Sequence, residues 1–294
     1  MFQNAIAQVS RFTRPLHTIM RTYGGKILPG SATLFFVNED GVAITCKHVA
    51  NLIPTADKLN AEYRAFRAER DRLARDNKYH SHLKDLELKY KYSPERIIQQ
   101  KNNFLNCLDK LEQITAHMHP TLDLAILEFK GFTRPLYQSH AVFVKDSSTI
   151  RQGKTLCRIG FPFPEFNNFV YNQQTDDIDW TQTGHQDSPI FPMDGIITRF
   201  VATPGEGITG IELSTPGLRG QSGGPLFDAD GHIYGMQFAA NHLHLGFDIT
   251  DREIIQDGKT KKVSNHPFLH VGLCVHVENI KAFLRQHNIK FYEA

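Results

Sequence analysis

Cysteine, net charge and unbroken apolar sequence are all scarce in this 294-residue chain. The four cysteines, Cys46, Cys107, Cys157 and Cys274, include no CxxC pair. Spacing this wide argues against a thiol-built metal site, and four thiols at this length do not suggest a disulfide framework. Free thiols fit a reducing compartment. No run of about 18 apolar residues occurs, so no membrane-spanning helix is expected. Residues 1–20, MFQNAIAQVSRFTRPLHTIM, lack the apolar core of a secretory signal. The expected location is therefore cytoplasmic, with export by a machine that needs no cleaved signal left open. Lys+Arg 33 against Asp+Glu 31 gives a net charge of only +2. That removes the global electrostatic case for nucleic acid or an anionic membrane as partner. Neither G-x-x-x-x-G-K-[ST] nor G-x-G-x-x-G is present, so no nucleotide cofactor is expected.

What is present is ordinary globular composition, 40% hydrophobic and 22% charged, enough apolar material for a real core. Three textures alternate along the chain. Up to about residue 54, Ala32–Val37 and Val42–Thr45 read as strands joined by Asn38-Glu39-Asp40-Gly41, a hairpin that delivers His48 just past a strand end. From about 55 to 116 glycine is absent and charge is dense. Leu59, Phe66 and Leu73 recur at heptad spacing; after Pro94, Ile97, Phe104, Leu108 and Leu111 follow a helical period, with Ser93-Pro94-Glu95-Arg96 resembling a capped helix start. The expectation is a helical hairpin inserted over 55–116, presenting a solvated face or an arm for a partner protein or for self-association. From about 120 onward, short apolar runs at 124–127, 156–159, 196–198, 210–213 and 233–236 alternate with Gly, Pro, Asn and Asp, which implies a β-barrel or sandwich. A closing helix is expected from Val277 to about His287.

Three places carry chemistry. Ser222 lies in Gly220-Gln221-Ser222-Gly223-Gly224-Pro225. A serine hydroxyl needs a base to take its proton and donors to hold the oxyanion, and the flanking glycines let the amides of Gly220 and Ser222 approach a substrate carbonyl. The run also satisfies G-x-S-x-G, the nucleophile elbow of α/β-hydrolases, but that motif needs a helix after the serine. Here Pro225 and Asp228-Ala229-Asp230-Gly231 suit a β-hairpin. His48, one of fifteen histidines, stands out because it ends an apolar strand. Asp123 enters the apolar run Leu124–Leu127, where an unpaired carboxylate is costly to bury and is better explained by a cationic partner.

In this order the three resemble the boxes of trypsin-like peptidases. Thr45-Cys46-Lys47-His48 is similar to T-A-x-H, Asp123-Leu124-Ala125-Ile126-Leu127 to D-[IL]-A-[LV]-[IL], and Gly220–Pro225 to G-[DN]-S-G-G-P. The bacterial HtrA-like branch fits best: Gly160-Phe161-Pro162-Phe163-Pro164 resembles its G-[NY]-P-F-G run. The resemblance covers about 25–54 and 118–287 and leaves out the helical insertion. It implies an all-β core of two antiparallel six-stranded β-barrels, with His48 as general base, Asp123 as its orienting acid, Ser222 as nucleophile and the Gly220 and Ser222 amides as oxyanion donors. It implies hydrolysis of protein or peptide substrates through an acyl-enzyme, without a cofactor or metal. The alternative is a catalytically silent trypsin-like module that docks a partner through the insertion.

Departures from the pattern refine these expectations. Digestive relatives carry Asp before the serine, pairing it with a new N-terminus; here Gln221 occupies that position, so activation by trimming is not expected. No PDZ domain is expected after the closing helix. Cys46, in place of the usual Ala, suggests sensitivity to oxidation. Pro216, six residues before the serine, would line the base of the specificity pocket, and Phe238-Ala239-Ala240 would pair with substrate backbone. An uncharged Pro216 predicts a small or apolar side chain before the scissile bond. The polar-aromatic segment between about 164 and 193 is expected as a lid or a surface loop. His242, His244, His266 and His270 could cluster around a metal, but no ligating carboxylate or cysteine at close spacing was read beside them.

Overall fold

The computed structural model describes residues 2–73, 79–205 and 207–294. A short helix α1 (Gln3–Ser10) leads into strands β1 (Thr13–Thr22), β2 (Ile27–Phe36) and β3 (Val42–Thr45). In the turn between β2 and β3 the Asn38 side-chain oxygen accepts from the Asp40 amide at 3.0 Å, and Gly41 has a φ of 76°, a conformation that suits glycine. This turn sets Phe35 opposite Ile44 and carries the chain into α2 (Lys47–Ala50), with His48 in its first turn.

Two helices follow, α3 (Leu52–Leu73) and α4 (Tyr79–Tyr90). Their apolar residues turn inward: Tyr63, Phe66 and Leu86 form one buried cluster with Ile98, flanked by Tyr23, Tyr90 and Tyr92. Here the structure corrects the sequence reading. The segment after Pro94 is not a second long helix but strand β4 (Ile97–Phe104), antiparallel to β1, followed by β5 (Gln113–Met118). Among the described residues the helical part is therefore Leu52–Leu73 and Tyr79–Tyr90, and it does not extend to 116. Ser93 to Arg96 is a turn, closed by the Arg96 amide donating to the Ser93 carbonyl at 2.9 Å. The cause is tertiary. The edge of β1 offers backbone donors and acceptors that need partners, and Ile97–Phe104 supplies them while burying Ile98, Gln99 and Gln100. Asn102 and Asn103 are weak helix formers and offer little resistance.

Strand β6 (Ala125–Lys130) completes an antiparallel sheet in the order β4-β1-β2-β3-β6-β5, a half-barrel in which no pairing joins β4 to β5 among the described residues. The remaining strands are β7 (Val142–Phe143), β8 (Thr155–Arg158), β9 (Phe169–Asn172), β10 (Asp177–Trp180), β11 (Met193–Thr203), β12 (Gly207–Leu213), β13 (Pro225–Phe227), β14 (Ile233–His244), β15 (Ile249–Gln256), β16 (Lys259–Asn265), β17 (Phe268–His276) and β18 (Tyr292–Glu293). Six of them form a closed ring, β13-β8-β11-β12-β17-β14, with β14 returning to β13. β7 and β18 extend it in parallel beside β14. Helix α5 (Val277–Gln286) lies where the sequence places a closing helix and buries Ile280, Phe283 and Leu284. Its buried Lys281 is satisfied by the Val144 carbonyl at 3.0 Å and by Glu278 and Glu293 at 2.7 and 2.8 Å. The β15–β16 hairpin, which the sequence reading did not pick out, is exposed almost throughout.

The segment between 164 and 193 is neither a free lid nor a plain loop. Its β9–β10 hairpin docks on the first sheet, with Phe166 and Ile178 buried against Ile19. At its tip Asp176 binds Arg21 at 2.9 Å, Arg70 at 3.0 Å, and the hydroxyls of Tyr63 and Tyr171, each at 2.7 Å. One carboxylate thus ties together the hairpin, α3 and β1.

Candidate active site

His48 and Asp123 meet as their positions in the sequence suggest. The Asp123 carboxylate accepts from the His48 amide at 2.9 Å (Oδ1) and lies 2.6 Å from Nδ1 of the ring (Oδ2). The meeting has a local cause. β3 and β6 pair with Thr45 opposite Ala125, so His48, three residues past Thr45, and Asp123, two before Ala125, leave the sheet on one side. Lys47 Nζ reinforces this by donating to the carbonyls of His119 and Pro120 at 2.7 and 3.1 Å, while His119 Nδ1 accepts from the Leu122 amide at 3.0 Å. Burial alone raises the Asp123 carboxyl. Hydrogen bonds from the His48 ring and from backbone amides outweigh it and hold the group below the usual carboxylate range.

The Ser222 loop comes from the other sheet and is stitched to the first at Thr33. The Thr33 amide donates to the Ser222 carbonyl at 2.9 Å, and its hydroxyl to the Gly220 carbonyl at 2.7 Å. Thr45 in turn donates its hydroxyl to the Thr33 carbonyl at 2.7 Å, which links this loop to the strand that ends at His48. Gly220 and Gly223 have φ of 89° and 88°. A side chain at Gly223 would overlap the Thr33 carbonyl and the Thr45 hydroxyl, so glycine is required on steric as well as conformational grounds. Gln221 is fully buried and braces the loop: its side-chain oxygen accepts from the Leu218 amide and its nitrogen donates to the Phe191 carbonyl, both at 3.1 Å. Among the described residues, neither the Gly220 nor the Ser222 amide has an acceptor, and no hydrogen bond joins the Ser222 hydroxyl to His48. Such a contact commonly tightens only when substrate is bound.

A cleft of about 430 Å³ opens beside Ser222, and Phe238, Ala239 and Ala240 line it. Pro216 does not; the next residue, Gly217, takes its place on the wall, while the Pro216 carbonyl accepts from buried Arg158. Cys46 is completely buried, with its sulfur 3.3 Å from the Gln237 carbonyl. Burial, and then the Asp123 charge, push its thiol well up, so the oxidation sensitivity read from the sequence has no reactive thiolate behind it.

Sequence reasoning missed a Ser–His contact away from Ser222. Ser188 Oγ lies 2.9 Å from His17 Nε2, both residues buried. The other ring nitrogen, Nδ1, has no partner among the described residues, and burial drives the His17 pKa down to about 4. With no described acid behind it and its charged form disfavoured by burial, this imidazole lacks what a general base needs. The histidines weighed for a metal divide into two exposed groups: His242 against His270, and His244 with His266 on either side of Asp248, each at 2.8 Å. Asp248 is the carboxylate the sequence reading overlooked, four residues beyond His244. No helix among the described residues is long and apolar enough to cross a membrane.

The trypsin-like peptidase domain family matches residues 30–236. Among solved structures, the HtrA-type protease AlgW with a decapeptide is similar over 97% of this chain and 67% of its own, at 15% identity and a TM-score of 0.51. The Rv3671c protease from M. tuberculosis in its active form is similar over 98% and 86%, at 12% identity and a TM-score of 0.47. No curated protein matches the sequence.

Proposed function

The chain belongs to the trypsin-like peptidase family, and from that premise we propose that His48, Asp123 and Ser222 carry its serine endopeptidase chemistry. His48 donates its Nδ1–H to the Asp123 carboxylate in a hydrogen bond, which fixes the tautomer whose Nε2 lone pair is available. That nitrogen removes the Ser222 hydroxyl proton as Oγ attacks the substrate carbonyl carbon. The amides of Gly220 and Ser222 donate to the developing oxyanion. His48 then protonates the leaving amine, an acyl ester remains on Ser222, and water activated by the same nitrogen releases it.

The observation that carries this reading is the 2.6 Å contact between His48 Nδ1 and Asp123 Oδ2, beside a serine loop whose two oxyanion amides have no acceptor among the described residues. The rival, a silent module docking a partner through its helical segment, has less behind it. Of the heptad residues that would face a partner, Phe66 is buried with Ile98 of β4 and Leu73 packs against the same cluster. Labelling with a fluorophosphonate probe tests the reading. The wild type is expected to form an adduct that Ser222→Ala abolishes and Ser188→Ala leaves intact. His48→Ala and Asp123→Ala are expected to lower turnover by about 10⁴-fold. An adduct that survives Ser222→Ala and vanishes with Ser188→Ala would move the site to the other pair.

A further inference from the structure

Directly behind the cleft beside Ser222 lies a cation with no counter-ion. Arg158, the last residue of β8, has no exposed surface. Its guanidinium donates to Gln237 Oε1 at 3.0 Å and to the Thr215 carbonyl at 2.8 Å, and its Nε–H finds no acceptor among the described residues. No carboxylate pairs with it among the described residues. A buried charge held only by neutral dipoles is expensive, and its position against the wall of a substrate cleft gives that expense a use.

Gln237 passes the effect into the cleft. A guanidinium can only donate, so the amide oxygen of Gln237 must face Arg158, and Cys274 Sγ, 3.4 Å away, occupies the same oxygen. The amide nitrogen is thereby turned toward Gly217 and Ala239, both of which line the cleft. It donates one hydrogen to the Ala239 carbonyl at 2.5 Å, and its second hydrogen has no acceptor among the described residues. Arg219 and His242 also line the cleft, and no carboxylate does. The surface beside Ser222 therefore offers donors and positive charge, with nothing to receive a cationic side chain.

We propose that this cleft selects an acidic side chain, aspartate or glutamate, in the residue preceding the scissile bond, with Arg158 acting as a positioning residue through Gln237. The proposal rests on the peptidase reading and names its substrate class. It replaces the expectation of a small or apolar side chain, which depended on Pro216 lining the pocket.

Two measurements on the full chain test it. The first is kcat/KM on fluorogenic peptides that differ only before the scissile bond. Glutamate is expected to exceed glutamine by about tenfold and lysine by about a hundredfold. The second is binding of product-like peptides ending in Glu, Gln, Lys or Val to Ser222→Ala protein, which needs no catalysis and should follow the same order. Gln237→Glu places a carboxylate beside Arg158, at the cost of the hydrogen bond to the Ala239 carbonyl, and is expected to abolish the glutamate preference. Arg158→Met should bring the Glu:Gln ratio toward one, and Arg158→Lys should restore part of it. A protein that takes the fluorophosphonate on Ser222 yet prefers Val or Lys overturns the cleft assignment and leaves the peptidase reading standing. Selective binding of the Glu peptide by a chain that takes no fluorophosphonate does the reverse.

Discussion

His17 provides a sharp test of how burial controls charge in this fold. It lies on β1 opposite Ser31, without solvent exposure, its ring stacked on Phe166 at a centroid distance of 4.1 Å. Among the described residues only Nε2 is partnered, by Ser188. Burial lowers its pKa to about 4, whereas in the unfolded chain it titrates near ~6.5. Above the unfolded value neither state binds the proton, and His17 leaves stability independent of pH. As pH falls below it, the unfolded chain takes a proton that the folded chain refuses, so stability declines by ~1.4 kcal/mol per pH unit. By pH ~4 the loss is about 3 kcal/mol; below that both states are protonated and this contribution levels off. His17→Gln retains a polar partner for Ser188 and cannot titrate. Denaturant unfolding at several pH values from 7 to 4 should show the wild type losing about 3 kcal/mol more than the variant over that interval, whatever the variant's stability at pH 7. Parallel stability curves for the two proteins would refute the reasoning.

Two further perturbations probe the parts that hold the site in place. Among the described residues Asp176 is the one carboxylate paired with Arg21, whose side chain is 6% exposed; burial raises the Asp176 pKa, but bonds from Tyr171, Tyr63 and the arginines outweigh this and hold it at about 2. Asp176→Ala strands that arginine and should cost about 3 kcal/mol in denaturant unfolding, and a variant as stable as wild type would show that the clamp contributes nothing. Gln221→Ala removes both side-chain hydrogen bonds that brace the Ser222 loop, and is expected to lower kcat by about tenfold or more with little change in KM, since the bond to be weakened is to the oxyanion. A selective rise in KM would place Gln221 in substrate binding instead.

What could be read from the sequence was whatever depends on local pattern. The turn at Asn38 to Gly41 marks β2 and β3, and the continuous apolar runs Val42–Thr45 and Ala125–Leu127 mark β3 and β6, whose register brings His48 to Asp123. The positive φ of Gly220 and Gly223 is likewise written in residue type. What could not be read depends on partners distant in the chain. Ile97–Phe104 satisfies a helical period as well as a strand, and only the free edge of β1, some eighty residues earlier, decides between them. Asp176 is unremarkable in sequence, one acid in a polar stretch, until Arg21, Tyr63, Arg70 and Tyr171 surround it.

The same distinction separates chemistry from specificity at the site. The proposed nucleophile, base and acid stand out by their flanking residues: glycines around Ser222 and apolar strand runs beside His48 and Asp123. Selectivity carries no such local signature. Pro216 was the natural residue to examine by spacing, yet Arg158 lies fifty-eight residues before it and reaches the cleft only because β8 and β13 are neighbours in the closed ring and Gln237 follows on β14. Arg158 sits within the strand run 156–159, and nothing in that run tells that the side chain is completely buried. A charge left without a counter-ion among the described residues beside the proposed substrate cleft is a reason to ask what anion arrives there, and the carboxylate-free lining beside Ser222 favours an acidic substrate side chain.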